Sequence, residues 1–148
     1  MKILVDADAC PNVIKEIIYR ASKRLSINII LFANHSLTIP KSPYVKFVLV
    51  SRGFDVADEE IEKMVAAGDL VITADIPLAD KVIDKNATAI NVRGMLYTKD
   101  NIKERLRMRN LMDELRGAGQ ITGGPAPLNK KDQQNFANAL DAFLAKNK

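Results

Sequence analysis

The sequence predicts an α/β protein whose core is a parallel β-sheet. Short apolar strands alternate with amphipathic helices over residues 2–92. This alternation is typical of parallel strands joined by right-handed helical crossovers. Two of the strands run directly into aspartates, and two prolines stand where helices are expected to begin. Beyond residue 99 the pattern becomes helical, so we expect an αβα sandwich with a C-terminal helical extension.

Each element follows from a local pattern of apolar and turn-forming residues. Strands are expected over residues 2–6, 27–32, 46–50, 70–73 and 87–92. Helices are expected over residues 11–24, 57–67, 77–85, about 99–116 and about 130–146. The helix over 99–116 is expected to bury one apolar side, formed by Ile102, Leu106, Leu111 and Leu115. The last helix is expected to bury Phe136, Leu140, Phe143 and Leu144.

Length and composition indicate an ordinary globular protein. The chain has 148 residues, of which 47% are hydrophobic and 27% charged, so we expect a single domain over residues 1–148. One cysteine, Cys10, excludes an intramolecular disulfide. No apolar run is long enough to span a membrane. Asp6 interrupts the N-terminal apolar run, which is therefore not a signal peptide, and a cytoplasmic location is expected.

Aspartates follow two strands of the expected sheet. Asp6 and Asp8 come after Ile3-Leu4-Val5, and Asp75 follows the strand over 70–73, with Asp80 further on. Ligands of open parallel sheets bind outside the carboxyl ends of the strands. Like charges gathered there are costly unless a cation or a proton compensates them. These aspartates are therefore candidate catalytic and metal-binding residues.

Helix capping is the ordinary alternative for an aspartate that precedes a helix. Proline favours the first helical position, so Pro11 and Pro77 are expected to open helices. That register leaves Asp8 and Asp75 outside the cap position, which favours a functional role for both. Asp6 is a poor strand residue, which again favours function. For Asp80, a favourable interaction with the helix dipole is an equal alternative.

A third acidic group follows the third strand, at Asp55, Asp58, Glu59 and Glu60. Asp58 is the residue expected to reach the site, with Asp55 as a further candidate, and capping of the next helix is the alternative for both. The set of five is thus Asp6, Asp8, Asp58, Asp75 and Asp80. Carboxylates without clustered histidine or cysteine favour Mg²⁺ or Mn²⁺ over zinc. Such ions hold phosphodiesters and activate water for in-line attack.

The basic residues are concentrated in the C-terminal part of the chain. Residues 1–92 contain 11 Lys and Arg against 12 Asp and Glu, whereas residues 93–148 contain 11 against 6. An acidic site beside a basic region suits a phosphate-rich polymer, although an ordinary solvated face is the alternative. The candidate substrate-binding residues are Arg52, Arg93, Lys103 and Arg107.

Three further features have simpler expected roles. Cys10 is expected to be buried as a small hydrophobe, with a reactive thiol as the alternative. His35 is expected to be a surface loop residue. The stretch Thr122-Gly123-Gly124-Pro125 is expected to be a connecting loop, with backbone contact to a phosphate as the alternative.

The chain resembles the YaiI/YqxD family of uncharacterised bacterial proteins. Four stretches carry the resemblance: Asp6-Ala7-Asp8-Ala9-Cys10-Pro11, Gly53-Phe54-Asp55-Val56-Ala57-Asp58, Ile72-Thr73-Ala74-Asp75-Ile76-Pro77-Leu78-Ala79 and Gly123-Gly124-Pro125. That family is similar to PIN-like domains, many of which are metal-dependent ribonucleases. The likeness implies a PIN-like fold, with Asp6 or Asp8, Asp58, Asp75 and Asp80 as metal ligands. The chain departs from the usual PIN pattern in its two aspartates after the first strand and in its Gly-Pro segment.

Three functions remain as hypotheses from the sequence. The first is a nuclease that acts on RNA with Mg²⁺ or Mn²⁺. The second is a phosphatase of the haloacid-dehalogenase type, with Asp6 as nucleophile, Asp8 as acid/base, and Lys81 and Ser51 as its remaining polar groups. The third is a non-catalytic nucleic-acid-binding module. The oligomeric state is left open.

Overall fold

A computed structural model describes residues 1–53, 56–119 and 127–147. The strands are β1 Lys2–Asp6, β2 Asn28–Ala33, β3 Val45–Leu49, β4 Leu70–Ile72, β5 Thr88–Ile90 and β6 Leu96–Tyr97. The helices are α1 Asn12–Leu25, α2 Val56–Met64, α3 Ile76–Asp84, α4 Ile102–Gly117 and α5 Lys130–Lys146. A short 3-10 helix, Ala7–Ala9, lies between β1 and α1. The α/β class and the helical C-terminal part are thus confirmed.

The sheet has the strand order β3-β2-β1-β4-β5-β6. Its first five strands are parallel, and β6 alone runs antiparallel, against β5. The sequence did not predict β6, because two residues are too few to form a recognisable pattern. The turn that leads into β6 contains Gly94, whose φ of +87° is unfavourable for residues with a side chain.

Alternation of side chains along the strands builds two apolar layers, one on each face of the sheet. On one face, Ile3 and Leu31 pack with α1 and α5 through Ile14, Ile18, Phe136, Leu140 and Leu144. On the other face, Leu4 and Val71 pack with α2, α3 and the start of α4 through Ile61, Leu78, Val82 and Ile102. The result is the expected αβα arrangement.

The expected burial of one apolar side of α4 was wrong. Of the four residues predicted to form its buried side, only Ile102 is buried. Leu111 has 48% of its surface exposed, and the neighbouring Met108 and Met112 are exposed too. Spacing alone predicted a buried stripe, but α4 contacts the rest of the protein mainly through α3. Beyond its first turn, most of the helix faces solvent.

The helix starts also differ from the expected register. Pro11 is the N-cap of α1 rather than its first residue, and Pro77 lies one residue inside α3. Asp75 is therefore the N-cap of α3, where its side chain accepts a hydrogen bond from the backbone N–H of Leu78. The prediction that Asp75 lies outside the cap position was wrong, because proline is also tolerated one position further into the first turn.

Cys10 is buried, as expected, with 6% of its surface exposed. Burial raises the pKa of its thiol to about 12, against a smaller opposing effect of the positive charge of Lys15. The sulfur therefore stays protonated at neutral pH, which does not suit a nucleophile. In the part of the chain that the structure describes, no helix is long and apolar enough to cross a membrane.

Candidate active site

The acidic residues gather at the point where the sheet changes direction. From β1 the chain moves outward on one side to β2 and β3, whereas β4 and β5 lie on the other side of β1. Strands β1 and β4 are neighbours, with Val5 opposite Ile72. Their carboxyl ends therefore open into one crevice, which is where open α/β sheets bind ligands. Asp6 and Thr73 are the first polar residues on its two sides.

Thr73 links the two acidic strand ends. Its hydroxyl donates to Asp6 Oδ2 over 3.1 Å and accepts from the backbone N–H of Asp75 over 3.0 Å. The Asp75 carboxylate then accepts from the Leu78 N–H over 3.0 Å. Thr73 is only 1% exposed, whereas Asp6 and Asp75 are half-buried, so the chain of bonds runs from the protein interior to the edge of the crevice. Sequence reasoning did not select Thr73, although a hydroxyl residue at a strand end just before an aspartate was a usable signal.

Asp8 is held from the other side, by the loop that follows β2. The 3-10 helix after β1 brings it to the backbone N–H of Asn34, which donates to Asp8 Oδ2 over 3.0 Å. His35 Nδ1 lies 3.0 Å from Asp8 Oδ1. The His35 side chain is 53% exposed, in line with a surface position, but its contact with Asp8 was not expected from the sequence.

A cleft of about 210 Å³ adjoins these groups. Its walls are formed by Asp8, Asn34, Val50, Ser51, Gly53, Val56, Ala57, Asp58 and Asp75. Asp58 comes from the first turn of α2, so carboxylates from three separate elements line one cavity. Two features singled out in the sequence, Asp55 and the Thr122-Gly123-Gly124-Pro125 stretch, lie outside the described residues.

These surroundings shift the pKa of the Asp6 carboxylate. Burial raises its pKa above the ordinary 3.8, the hydrogen bond from Thr73 opposes this, and the negative charges of Asp75 and Asp8 raise it further. The ionised form of Asp6 is thus disfavoured by both desolvation and like-charge repulsion. A buried carboxylate in this condition is typical of sites that bind a cation or hold a proton.

Asp6→Asn is expected to stabilise the metal-free protein at neutral pH. Asparagine still accepts from Thr73, but it carries no charge for Asp75 and Asp8 to repel. Because the folded-state pKa is raised, the stabilising contribution of wild-type Asp6 is fully present below about pH 3.8 and is lost as the pH rises through the folded value. The gain in melting temperature should therefore be clear at pH 7 and small near pH 3.5, measured by thermal unfolding in EDTA.

The control for this prediction is Asp141→Asn, which removes an exposed carboxylate paired with Arg24. Exposed pairs contribute little to stability, so this variant should show almost no change at pH 7. A lower melting temperature for Asp6→Asn at pH 7 would contradict the prediction, since it would mean that the ionised carboxylate stabilises the fold.

Asp80 does not join the other four aspartates. It lies in the second turn of α3, and its carboxylate pairs with Lys103 Nζ of α4 at 2.8 Å. The contact bridges two helices that also pack against each other. The structure thus brings Asp6, Asp8, Asp58 and Asp75 together at the crevice and places Asp80 in an interhelical ion pair.

The chain matches the model of the YaiI/YqxD family, described as uncharacterised, over residues 4–146. The chain belongs to the YaiI/YqxD family. It is 60% identical over 146 residues to a UPF0178 protein of Syntrophotalea carbinolica, covering 99% of both chains. It is 57% identical over 147 residues to a UPF0178 protein of Photobacterium profundum, covering 99% of this chain and 98% of that one. No solved structure matches the chain significantly.

In this member of the YaiI/YqxD family, three of the four basic residues expected to bind substrate are paired with carboxylates. Arg93 is 2.6 Å from Asp132 at the start of α5, and Arg107 is 2.6 Å from Glu104 of its own helix. Lys103 is the partner of Asp80. Arg52 is exposed beside the cleft and has no ion-pair partner among residues 1–53, 56–119 and 127–147. Arg52 is therefore the basic group most available to an anion at the crevice.

The donor set of the site consists of carboxylate oxygens, which suit Mg²⁺ and Mn²⁺. Within the described ranges, no group of three or more His, Cys, Asp or Glu residues is arranged as a ready-made metal cage. Mg²⁺ is commonly held by one or two carboxylates, with water and substrate phosphate completing its coordination. Asp6 and Asp75, which are close enough for their charges to interact, fit that pattern, and a full protein cage is not needed.

Proposed function

We propose that this protein is a nuclease that cleaves RNA phosphodiesters with the aid of a divalent metal ion. The observation that carries the proposal is the meeting of four aspartates at the switch point of the sheet, from the end of β1, the 3-10 helix, α2 and the N-cap of α3. The raised pKa of Asp6 supports it, because a crowded and partly buried carboxylate is stabilised by a cation. The resemblance of the family to PIN-like domains supports it by analogy.

Each residue of the site has a distinct role in this proposal. Asp6 and Asp75 would hold Mg²⁺ or Mn²⁺, with Thr73 fixing their relative positions through its two hydrogen bonds. The bound ion would neutralise charge on the scissile phosphate and favour attack by water. Asp8 and Asp58 line the cleft, and their role would be to orient the water. The contact of His35 with Asp8 limits the positions that Asp8 can adopt.

RNA would approach the site over its basic residues. Arg52 would contact a phosphate beside the cleft, since it has no competing partner in the described ranges. For Arg93, Lys103 and Arg107, a phosphate would compete with Asp132, Asp80 and Glu104 respectively. The exposed pairs of Lys103 and Arg107 are weak enough to exchange, whereas the less exposed Arg93 pair is a stronger competitor.

The proposal is tested with fluorescent single-stranded RNA and purified wild-type protein. Cleavage is expected in Mn²⁺ or Mg²⁺, and it should stop when EDTA is added. Single-stranded DNA of the same sequence shows whether RNA is preferred. RNA that binds but stays intact in Mn²⁺ would overturn the proposal in favour of a non-catalytic binding module.

The phosphatase hypothesis is separated by a second substrate. A haloacid-dehalogenase-type enzyme hydrolyses small phosphate monoesters through an aspartyl-phosphate, for which beryllofluoride is a mimic. Ser51 does line the cleft, but Lys81 pairs with Glu62 of α2 at 3.6 Å. Lys81 is also not among the residues that line the cleft, where this mechanism needs its lysine. Hydrolysis of p-nitrophenyl phosphate, inhibited by beryllofluoride, would replace the nuclease proposal with the phosphatase.

A further inference from the structure

A second cavity, of about 400 Å³, lies between α1 and the loop that follows β2. Its lining includes Asn12, Lys15, Glu16, Tyr19, Ser36 and Thr38. The volume falls within the range of pockets that bind small molecules. All six of these side chains carry polar groups: an amide, a cation, an anion, a phenol and two aliphatic hydroxyls. A ligand that suits the cavity must therefore have several different polar parts.

The cavity adjoins the candidate active site. Asp8 is bonded to Asn34 and His35, and Ser36, the next residue along the loop, already belongs to the cavity wall. On the other wall, Asn12 begins α1 only four residues after Asp8. The acidic cleft and the second cavity thus draw their walls from neighbouring residues of the same loop, Asn34 in the cleft and Ser36 in the cavity.

Lys15 gives the cavity a preference for anions. Its side chain is half-buried, and no carboxylate in the described ranges pairs with it. Its charge is felt by Cys10, whose pKa it lowers against the larger effect of burial. A partly desolvated ammonium without a partner is stabilised by a bound anion. Phosphate is the anion that the neighbouring hydroxyl of Ser36 also suits, because its oxygens accept hydrogen bonds from both groups.

Glu16 and Tyr19 suit the remaining parts of a nucleotide. A carboxylate accepts hydrogen bonds from two neighbouring hydroxyls, as acidic residues do with ribose in dinucleotide-binding sites. Glu16 has no ion-pair partner in the described part of the chain, so it is available for that role. Tyr19 is half-buried, and burial raises the pKa of its phenol. It therefore stays neutral and offers an aromatic surface against which a base can stack.

The order of these groups along α1 matches the order of groups in a nucleotide. Lys15 lies nearer to the N-terminus of the helix, which is the end beside the acidic cleft, and Tyr19 lies one turn further on. From the volume of the second cavity, the positive charge of Lys15 in its wall and this order of groups along α1, we infer that the cavity binds a ribonucleoside monophosphate unit. The phosphate contacts Lys15, the ribose contacts Glu16, and the base packs against Tyr19. The inference rests on the proposed nuclease function in one respect: this unit is the nucleotide next to the scissile phosphodiester.

The test uses the full-length protein in EDTA, so that binding is measured without a metal at the acidic cleft and without cleavage. AMP is titrated while backbone amide signals are followed by NMR. Shifts are expected for residues 12–19 and 36–38. Adenosine should bind at least about tenfold more weakly than AMP, since it lacks the charged group that Lys15 recognises. The analogue 2′,3′-dideoxy-AMP should also bind several-fold more weakly.

Three variants separate the contacts. Lys15→Ala should weaken AMP binding about tenfold or more and remove most of the difference between AMP and adenosine. Glu16→Gln should remove most of the difference between AMP and its dideoxy analogue. Lys23→Ala is the matched control, because Lys23 is an exposed lysine of the same helix outside the cavity. It should bind AMP like the wild type, and melting temperatures confirm that each variant is folded.

The outcomes distinguish this inference from the nuclease proposal. AMP binding that depends on Lys15 would support the cavity even if RNA is not cleaved. Absence of shifts at millimolar AMP, equal affinity in the folded Lys15→Ala variant, or binding of inorganic phosphate as tightly as AMP would overturn the cavity assignment. RNA cleavage in the same preparation would then show that the nuclease proposal survives without it.

Discussion

Asp75→Asn is expected to lower metal-dependent RNA cleavage by about 100-fold or more while leaving the fold intact. Asparagine caps helices as well as aspartate does, so the bond from the Leu78 N–H is kept. The bond from the Asp75 N–H to Thr73 involves only the backbone of residue 75. The substitution therefore removes a charge and, under the proposed function, a metal ligand, but no structural contact. Loss even of groups that only support a metal ligand costs about 10- to 100-fold.

Two companion variants show whether the charge is responsible. Asp75→Ala should lose the same activity and also about 1 kcal/mol of stability, because alanine cannot cap α3. Asp80→Asn is the matched control: it neutralises an aspartate of the same helix whose partner is Lys103. It should retain most of the activity. If Asp75→Asn cleaves RNA at the wild-type rate, Asp75 does not take part in the chemistry. If Asp80→Asn loses most of the activity, Asp80 does belong to the active site.

Gly94→Ala is expected to destabilise the protein by about 3 kcal/mol or more. A Cβ on Gly94 would lie 2.5 Å from the carbonyl carbon and oxygen of Asn135 and 2.8 Å from the Phe136 nitrogen. These are backbone atoms of α5, which cannot turn aside as a side chain can. The φ of +87° adds about 1–2 kcal/mol of strain for alanine, and overpacking typically adds 1–3 kcal/mol more. Urea unfolding measures the sum.

Gly68→Ala separates the two contributions. Gly68 has the same φ of +87°, but nothing lies within 4 Å of a Cβ built there. Its substitution should cost only the strain of the left-handed conformation, about 1–2 kcal/mol. If Gly94→Ala and Gly68→Ala lower the free energy of unfolding equally, α5 can shift away from residue 94 at no energetic cost. The close approach of α5 to Gly94 would then not constrain the fold.

The position of the candidate site could be inferred from local sequence, but the contacts between its residues could not. Asp6, Asp8, Asp58 and Asp75 were recognisable because carboxylates at strand ends of a parallel sheet meet at one edge. The bond between Thr73 and Asp6 joins residues 67 positions apart, and it exists only because β1 and β4 are neighbours. A single sequence shows which residues end a strand, but it does not show which strands lie side by side.

The charged residues show the same limit. Asp80 and Lys103 were each assigned to the site or its substrate from sequence, yet they are 2.8 Å apart across two helices. Arg93 was expected to bind substrate, and it pairs with Asp132 of α5. Sequence patterns indicate that such groups carry charge at the surface. Whether the partner is another helix or a ligand depends on packing between distant segments.

Helix α5 is synthesised last among the described elements, and its place in the core has a consequence for the nascent chain. Its residues Phe136, Leu140 and Leu144 share an apolar layer with Ile3, Ile72 and Ile90 of the sheet. The six strands of the described residues leave the ribosome before α5 does. Until the last residues are synthesised, α5 is not yet present on this face of the sheet. The nascent chain then has only α1 to cover the apolar side chains of that face. A chain that stops before Phe136 would leave this apolar surface open and prone to associate with other chains.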